Sequence, residues 1–230
     1  MNKKRSVGFM MIFLLAISLH FPQCIDARVF KEVLQYDNEK VTIDIYSPGA
    51  GYRPVAILIH GAAGISGDRA ERYKGFATDL MNEGIIAINV HYFESKRPNW
   101  LKTIIEAISY AERIPNVKKH KIGLIGYSLG GTIALKVASM DDRVKLLAIN
   151  AGYMPAGFSK RDAANLPKTF MISGTNDSAI NTLNQLSAWF KELNIPFETK
   201  INQGMGHSVP MSIFRENWQA IVDFYIRNFK

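Results

Sequence analysis

Apolar positions along the chain fall into two rhythms. Short runs of continuous or alternating apolar residues recur. Longer stretches lie between them, where apolar residues return every three or four positions. The first rhythm is that of strands and the second that of amphipathic helices. Residues 29–36 and 41–46 alternate, with Asp37-Asn38-Glu39 as a turn between them. Residues 55–59 and 85–90 are continuous apolar runs, the pattern of strands buried on both faces. Residues 122–125, 144–149, 169–172 and 196–201 complete eight predicted strands. The spacing predicts helices over 69–82, 100–114, 129–140, 180–193 and 212–229. Gly84 closes the first helix and Pro115 stops the second.

Two leading strands followed by repeated strand–helix units predict an α/β fold. The sheet is mostly parallel and eight-stranded, with helices on both faces. The stretch 151–167 is the longest connection between strands lacking a predicted helix, and it is too short for a large lid domain. No internal repeat or linker interrupts the pattern, so residues 28–230 read as one domain.

The first 27 residues break the rhythm. Lys3, Lys4 and Arg5 precede an apolar run from Val7 to Leu19, and Pro22 follows it. The run is short for a membrane span and fits the central region of a secretory signal. Ile25 and Ala27 occupy the −3 and −1 positions of a cleavage site after Ala27. Retention as an anchor and lipidation at Cys24 are the alternatives. The expectation is a secreted or periplasmic protein without stable membrane insertion once the signal is removed.

Charge changes this picture little. The chain carries 28 Lys+Arg against 20 Asp+Glu, a net +8, which falls to +6 without residues 1–27. The positive residues are scattered. The densest cluster, Lys118-Lys119-His120-Lys121, reads as a solvated turn before a strand and not as a nucleic-acid site. Cys24 is the sole cysteine, which excludes an intramolecular disulfide and a multi-cysteine metal site. No metal-binding pattern, dinucleotide fingerprint or P-loop is present, so no cofactor is expected.

The candidate chemistry is concentrated in Gly126-Tyr127-Ser128-Leu129-Gly130-Gly131, a G-x-S-x-G motif lying between a predicted strand and a predicted helix. In that setting Ser128 occupies a tight turn, and the glycines let strand and helix approach closely around it. A hydroxyl is a weak nucleophile and needs a base. For this motif the chain order is nucleophile, acid, base, and His207 is the only histidine after Ser128. Asp177 follows the strand at 169–172 and would orient the imidazole. Asp162, Asp141 and Asp142 also lie between Ser128 and His207, and read as polar connection residues. An oxyanion hole would use the amide of Leu129 and one from His60-Gly61-Ala62-Ala63-Gly64, with Ala62 favoured over Ala63. Tyr92, Phe93 and Glu94 on one side, and Tyr153, Met154 and Phe158 on the other, are the expected pocket residues.

With these residues in view, the chain resembles an α/β-hydrolase of the dienelactone hydrolase-like kind. The resemblance covers most of residues 28–230. It rests on His60–Gly64, Gly126–Gly131, Gly174–Asp177, Gly206-His207 and the segment His91-Tyr92-Phe93-Glu94. The name-giving members carry a cysteine where this chain has Ser128, which implies a serine esterase and points away from dienelactone itself. The expected reaction is hydrolysis of a small carboxylic ester or lactone through an acyl-enzyme, with Ser128, His207 and Asp177 as the triad. Hydrolysis of a short peptide or amide, and a hydrolase-like binding protein with little turnover, are the alternatives.

Overall fold

A computed structural model describes residues 27–62 and 68–229, with the backbone alone given for 68–72. The predicted signal at 1–27 falls almost wholly outside the described residues. Eight strands form a single sheet: β1 (Arg28–Tyr36), β2 (Glu39–Ser47), β3 (Arg53–Ile59), β4 (Ile86–Val90), β5 (Val117–Tyr127), β6 (Val144–Asn150), β7 (Lys168–Gly174) and β8 (Phe197–Asn202). Their spatial order is β1-β2-β4-β3-β5-β6-β7-β8. The β1–β2 and β2–β4 pairs are antiparallel, and every pair from β4–β3 onward is parallel.

The helices are α1 (Asp68–Asn82), α2 (Trp100–Arg113), α3 (Leu129–Ala138), α4 (Lys160–Ala163), α5 (Ile180–Leu193) and α6 (Met211–Phe229). Strand alternation divides the core into two layers. Ile57, Ile88, Leu124 and Ile149 face α2, α3 and α5. Ala56, Leu58, Ala87 and Ala148 face α1 and α6. The alanines on this second face leave space for the large Tyr73, Phe76, Trp218 and Tyr225 of the covering helices.

Most predicted boundaries agree with these elements, and the departures have local causes. Helix α2 stops one residue early because Pro115 forces Ile114 into an extended backbone, with ψ of 123°. Glu39 pairs with Tyr36, so the turn between β1 and β2 is shorter than expected. Strand β5 is much longer than predicted and runs through the basic cluster. Val117 already pairs with Arg53, and the register then shifts before Val55 pairs with Ile122. Lys118, Lys119 and His120 are therefore exposed residues of an irregular strand and not a turn, with His120 at φ 62°. The connection from β6 to β7 contains only the one-turn α4. Ser159 and Asp162 close a reciprocal capping box there, a signature legible as S-x-x-D.

Trp218 joins the two helices on the α1–α6 face. Its ring lies 4.7 Å from that of Phe76, and its Nε1–H donates to Asp79 Oδ2 at 3.0 Å. Trp218→Ala would open a cavity between α6 and the sheet and should cost about 3–5 kcal/mol. The melting temperature should fall by roughly 10 °C, while Asp79→Asn should shift it by only about 2 °C. Thermal unfolding followed by circular dichroism compares the two.

Candidate active site

The carboxyl ends of the parallel strands gather the predicted chemistry. Ser128 follows β5, Asp177 lies just past β7, and His207 lies in the loop between β8 and α6. Ser128 Oγ is 2.8 Å from His207 Nε2, and His207 Nδ1 is 2.9 Å from Asp177 Oδ2. The three residues thus form one continuous chain of hydrogen bonds.

The local sequence explains how Ser128 is held. Its backbone has φ 53° and ψ −120°, which a residue with a side chain adopts only when its surroundings enforce it. Its amide donates to Asn150 O at 2.9 Å, tying the turn to β6. A Cβ on Gly126 would lie 2.3 Å from Gly130 O, so strand and helix do close on each other as the motif predicts. Gly130 has a second role that the motif does not announce. A Cβ there would lie 2.0 Å from Ile59 O and 2.5 Å from His60 O, so the bare residue lets the end of β3 approach α3.

That approach sets Gly61 beside Ser128. A Cβ on Gly61 would lie 3.2 Å from Ser128 Cβ. Leu129 opens α3, and an amide in a helix's first turn has no acceptor within the helix. Ala63, the second choice for an oxyanion donor, lies outside the described residues.

Asp177 is 3% exposed, and each of its oxygens has a defined task. Oδ2 faces the imidazole, while Oδ1 accepts from the Ala179 amide at 3.0 Å. The turn-forming role of an aspartate and its placement against a histidine are therefore met by the same side chain. The loops bearing acid and base are also laced together. Asn176 N donates to Met205 O at 2.9 Å, Gly204 N to Thr175 Oγ1 at 2.8 Å, and Asn176 Nδ2 to Gly204 O at 3.1 Å. Asp162 is engaged elsewhere, in the cap of α4 and 3.5 Å from Lys136 Nζ. Ser159 hydrogen bonds hold its carboxyl below the usual carboxylate range. Asp141 pairs with Arg143 at 2.6 Å.

The expected pocket needs correction. Tyr92 is fully buried beneath His60, stacked at 4.5 Å with its hydroxyl donating to His60 O at 2.8 Å. It supports the end of β3 and lines no open space. Glu94 accepts from the Thr42 amide on β2 and so is directed to the antiparallel edge of the sheet. Phe158 is buried in the core layer of α2, α3 and α5. Tyr153 does reach the site, with its hydroxyl 3.1 Å from His207 Nδ1. The open cleft runs the other way, between α1 and α6. It measures about 320 Å³ and is lined by His60, Gly61, Tyr73, Phe76, Tyr127, Ser208, Val209, Met211, Phe214 and Arg215. Sequence reasoning missed this wall. The available signal was the apolar stripe of α6, which continues into Phe214 and Met211 at its first turn. Among the described residues, no cluster of His, Cys, Asp and Glu could hold a metal, and no helix is long and apolar enough to cross a membrane.

Comparison with known proteins agrees with this fold. Residues 45–212 match the profile of the dienelactone hydrolase family. A Haemophilus influenzae protein provisionally named as an esterase/lipase is 30% identical over 145 residues, covering 59% of this chain and 45% of its own. The chain thus spans about half the length of that curated relative. Among solved structures, an esterase from Pyrobaculum calidifontis superposes with a TM-score of 0.74 at 18% identity, covering 89% of this chain and 86% of that one. Est1E from Butyrivibrio proteoclasticus gives 0.69 at 16% identity, covering 86% and 99%. Both likenesses are of fold.

The contact between the acid and base loops yields a direct test. A Cβ on Gly174 would lie 2.1 Å from Met205 O, so Gly174→Ala should push the His207 loop off its partner. Covalent labelling of Ser128 by a fluorophosphonate should slow by about 10- to 100-fold. The labelling rate on folded protein checks this.

Proposed function

The chain belongs to the dienelactone hydrolase family, a family of ester-cleaving hydrolases, and from that premise we propose that it hydrolyses small carboxylic esters or lactones through an acyl-enzyme on Ser128. The observation that carries this reading is the bonded series Ser128 Oγ, His207 and Asp177, at 2.8 and 2.9 Å. His207 Nε2 accepts the hydroxyl proton as Oγ attacks the carbonyl carbon. Asp177 keeps the proton on Nδ1 and stabilises the imidazolium that forms. The amides of Leu129 and Ala62 bind the oxygen that becomes negative. Collapse of the intermediate expels the alcohol, which takes the proton from Nε2. Water then attacks the acyl carbon by the same route in reverse and frees Ser128.

The cleft between α1 and α6 supports a small substrate. Its volume of about 320 Å³ lies at the low end for ligand pockets, and Tyr73, Phe76, Tyr127 and Phe214 supply aromatic walls. The β6–β7 connection, with only α4 in it, offers no cover for a long acyl chain. Esters of short acids should therefore be turned over faster than those of ten or more carbons, and anilide analogues should react slowly. A panel of p-nitrophenyl esters, lactones and p-nitroanilides measures this. Dominant anilide cleavage would favour a peptide- or amide-directed enzyme, and no turnover of any member would favour a binding role.

Variants assign the roles. Ser128→Ala should abolish ester turnover and fluorophosphonate labelling. Asp177→Asn should lower kcat by about 10³- to 10⁴-fold with little effect on KM, because the wrong imidazole tautomer is then favoured. Asp162→Asn should stay within about three-fold of the parent, since its carboxylate serves the cap of α4. A costly Asp162 with a silent Asp177 reverses the assignment of the acid. We also propose that residues 1–27 direct export. Amino-terminal sequencing of protein recovered outside the cytoplasm should then begin at Arg28, and a start at Met1 or a lipidated Cys24 rules that out.

A further inference from the structure

Two tyrosines flank the imidazole of His207. The ring of Tyr153 lies 5.4 Å from it at 26°, and that of Tyr127 lies 5.9 Å from it at 23°. Tyr127 Oη donates to the His207 carbonyl at 3.0 Å, fixing the backbone from which the imidazole hangs. Burial, followed by the charge of Asp177, pushes the Tyr127 phenol up, so it remains a donor at neutral pH.

Tyr153 makes a less common contact. Its hydroxyl is 3.1 Å from His207 Nδ1 and 3.5 Å from Asp177 Oδ1. The protons can be counted. Nε2 faces a hydroxyl whose proton it is to receive, so Nδ1 carries the ring hydrogen. That hydrogen points to Asp177 Oδ2 at 2.9 Å. The phenol proton is then directed to Oδ1, and a phenol lone pair faces Nδ1–H, so no donor opposes a donor. In this arrangement the hydroxyl spans both members of the pair.

The chain places Tyr153 there by construction. Ala151 has φ 54°, a conformation disfavoured for a residue with a side chain. The Ala151 amide donates to Ile172 O at 2.8 Å, and the Tyr153 amide to Thr132 Oγ1 at 3.0 Å. A Cβ on Gly152 would lie 3.0 Å from the Gly131 carbonyl carbon, so the loop is seated on α3. Core packing does not account for Tyr153, which is 37% exposed.

We propose that Tyr153 is a positioning residue. Its hydroxyl bridges His207 Nδ1 and the second oxygen of Asp177, while its ring and that of Tyr127 hold the imidazole in line with Ser128. The proposal rests on the reading of Ser128, His207 and Asp177 as a triad, and it gives Tyr153 a role other than pocket wall. A wall residue acts on KM, whereas a positioning residue acts on kcat.

The test compares Tyr153→Phe and Tyr153→Ala in the full-length protein, with two readouts. The first is kcat and KM on a short p-nitrophenyl ester. The second is the low-field proton resonance of His207 Nδ1–H, assigned by its loss in His207→Gln, which needs no turnover. Tyr153→Phe should lower kcat about 3- to 10-fold with KM within two-fold, the size of one hydrogen bond. Tyr153→Ala should lower kcat by about 100-fold and broaden the resonance into the solvent background. The loss in the phenylalanine variant then measures the hydroxyl's share, and the further loss in the alanine variant the ring's. An unchanged kcat and a sharp resonance in Tyr153→Ala overturn the proposal, as does a loss confined to KM. Should the unaltered protein turn over no ester, the functional reading fails on its own, and the resonance decides the role of Tyr153. Should the alanine variant not fold, the phenylalanine variant decides by the same two readouts.

Discussion

The strained backbone of Ser128 is the constraint on which the rest of the site depends. Its φ of 53° with ψ of −120° is a conformation that costs a residue with a side chain on the order of 1–3 kcal/mol. The strain persists because the turn is held from three directions. The amide is bonded to Asn150 on the neighbouring strand, β5 enters from below, and α3 leaves at once above. Relaxing the turn would break the bond to β6 and lift α3 off the sheet. The same strain aims the hydroxyl out of the sheet's end, where an imidazole on another loop can reach it. Rigidity at this point also fixes the Leu129 amide relative to Oγ, so that amide and the hydroxyl are oriented by one event of folding.

The fold was legible because its signals are periodic and local. Continuous apolar runs at 55–59 and 85–90 had to be central strands, and both lie inside the sheet as β3 and β4. The grouping of Ser128, Asp177 and His207 was legible for a different reason. The order of Ser128, Asp177 and His207 along the chain maps onto successive strand ends, and a parallel sheet brings all such ends to one edge. What could not be read was direction at that edge. Tyr92 and Glu94 follow a strand end as surely as Asp177 does, yet one turns down into the core and the other toward β2. The sequence marks the end of a strand but not the face to which the next side chain turns. That face is settled by packing, which here takes Tyr92 into the core beneath the stacked His60. The wall formed by α1 and α6 was hidden for a related reason. Phe76 and Phe214 carry the helical spacing of core residues, and only the packed structure separates those facing the sheet from those facing the cleft.

The basic run at 118–121 illustrates the limit from the opposite side. Its composition reads as a solvated turn, but the run lies within β5, as the irregular stretch between the Val117–Arg53 and Ile122–Val55 pairs, with Lys118 and Lys119 exposed. Side-chain polarity reports solvent exposure. It does not report whether the backbone beneath runs on as part of a strand, and at a sheet's leading end the two separate.

The exposure of the site constrains how catalysis could be achieved. The His207 side chain is 35% exposed, and Tyr153 is 37% exposed. A site this open cannot rely on excluding water to strengthen its electrostatics, because solvent screens interactions at its mouth. The work must fall on groups fixed before substrate arrives: backbone amides at the helix start, a carboxylate with both oxygens bonded, and loops laced to one another. Openness has a matching benefit for an acyl-enzyme. The water that would complete the cycle can approach the exposed side of the same imidazole. Precise anchoring and an open mouth are thus two aspects of one arrangement. The buried side of Asp177 supplies the first and the exposed side of His207 the second.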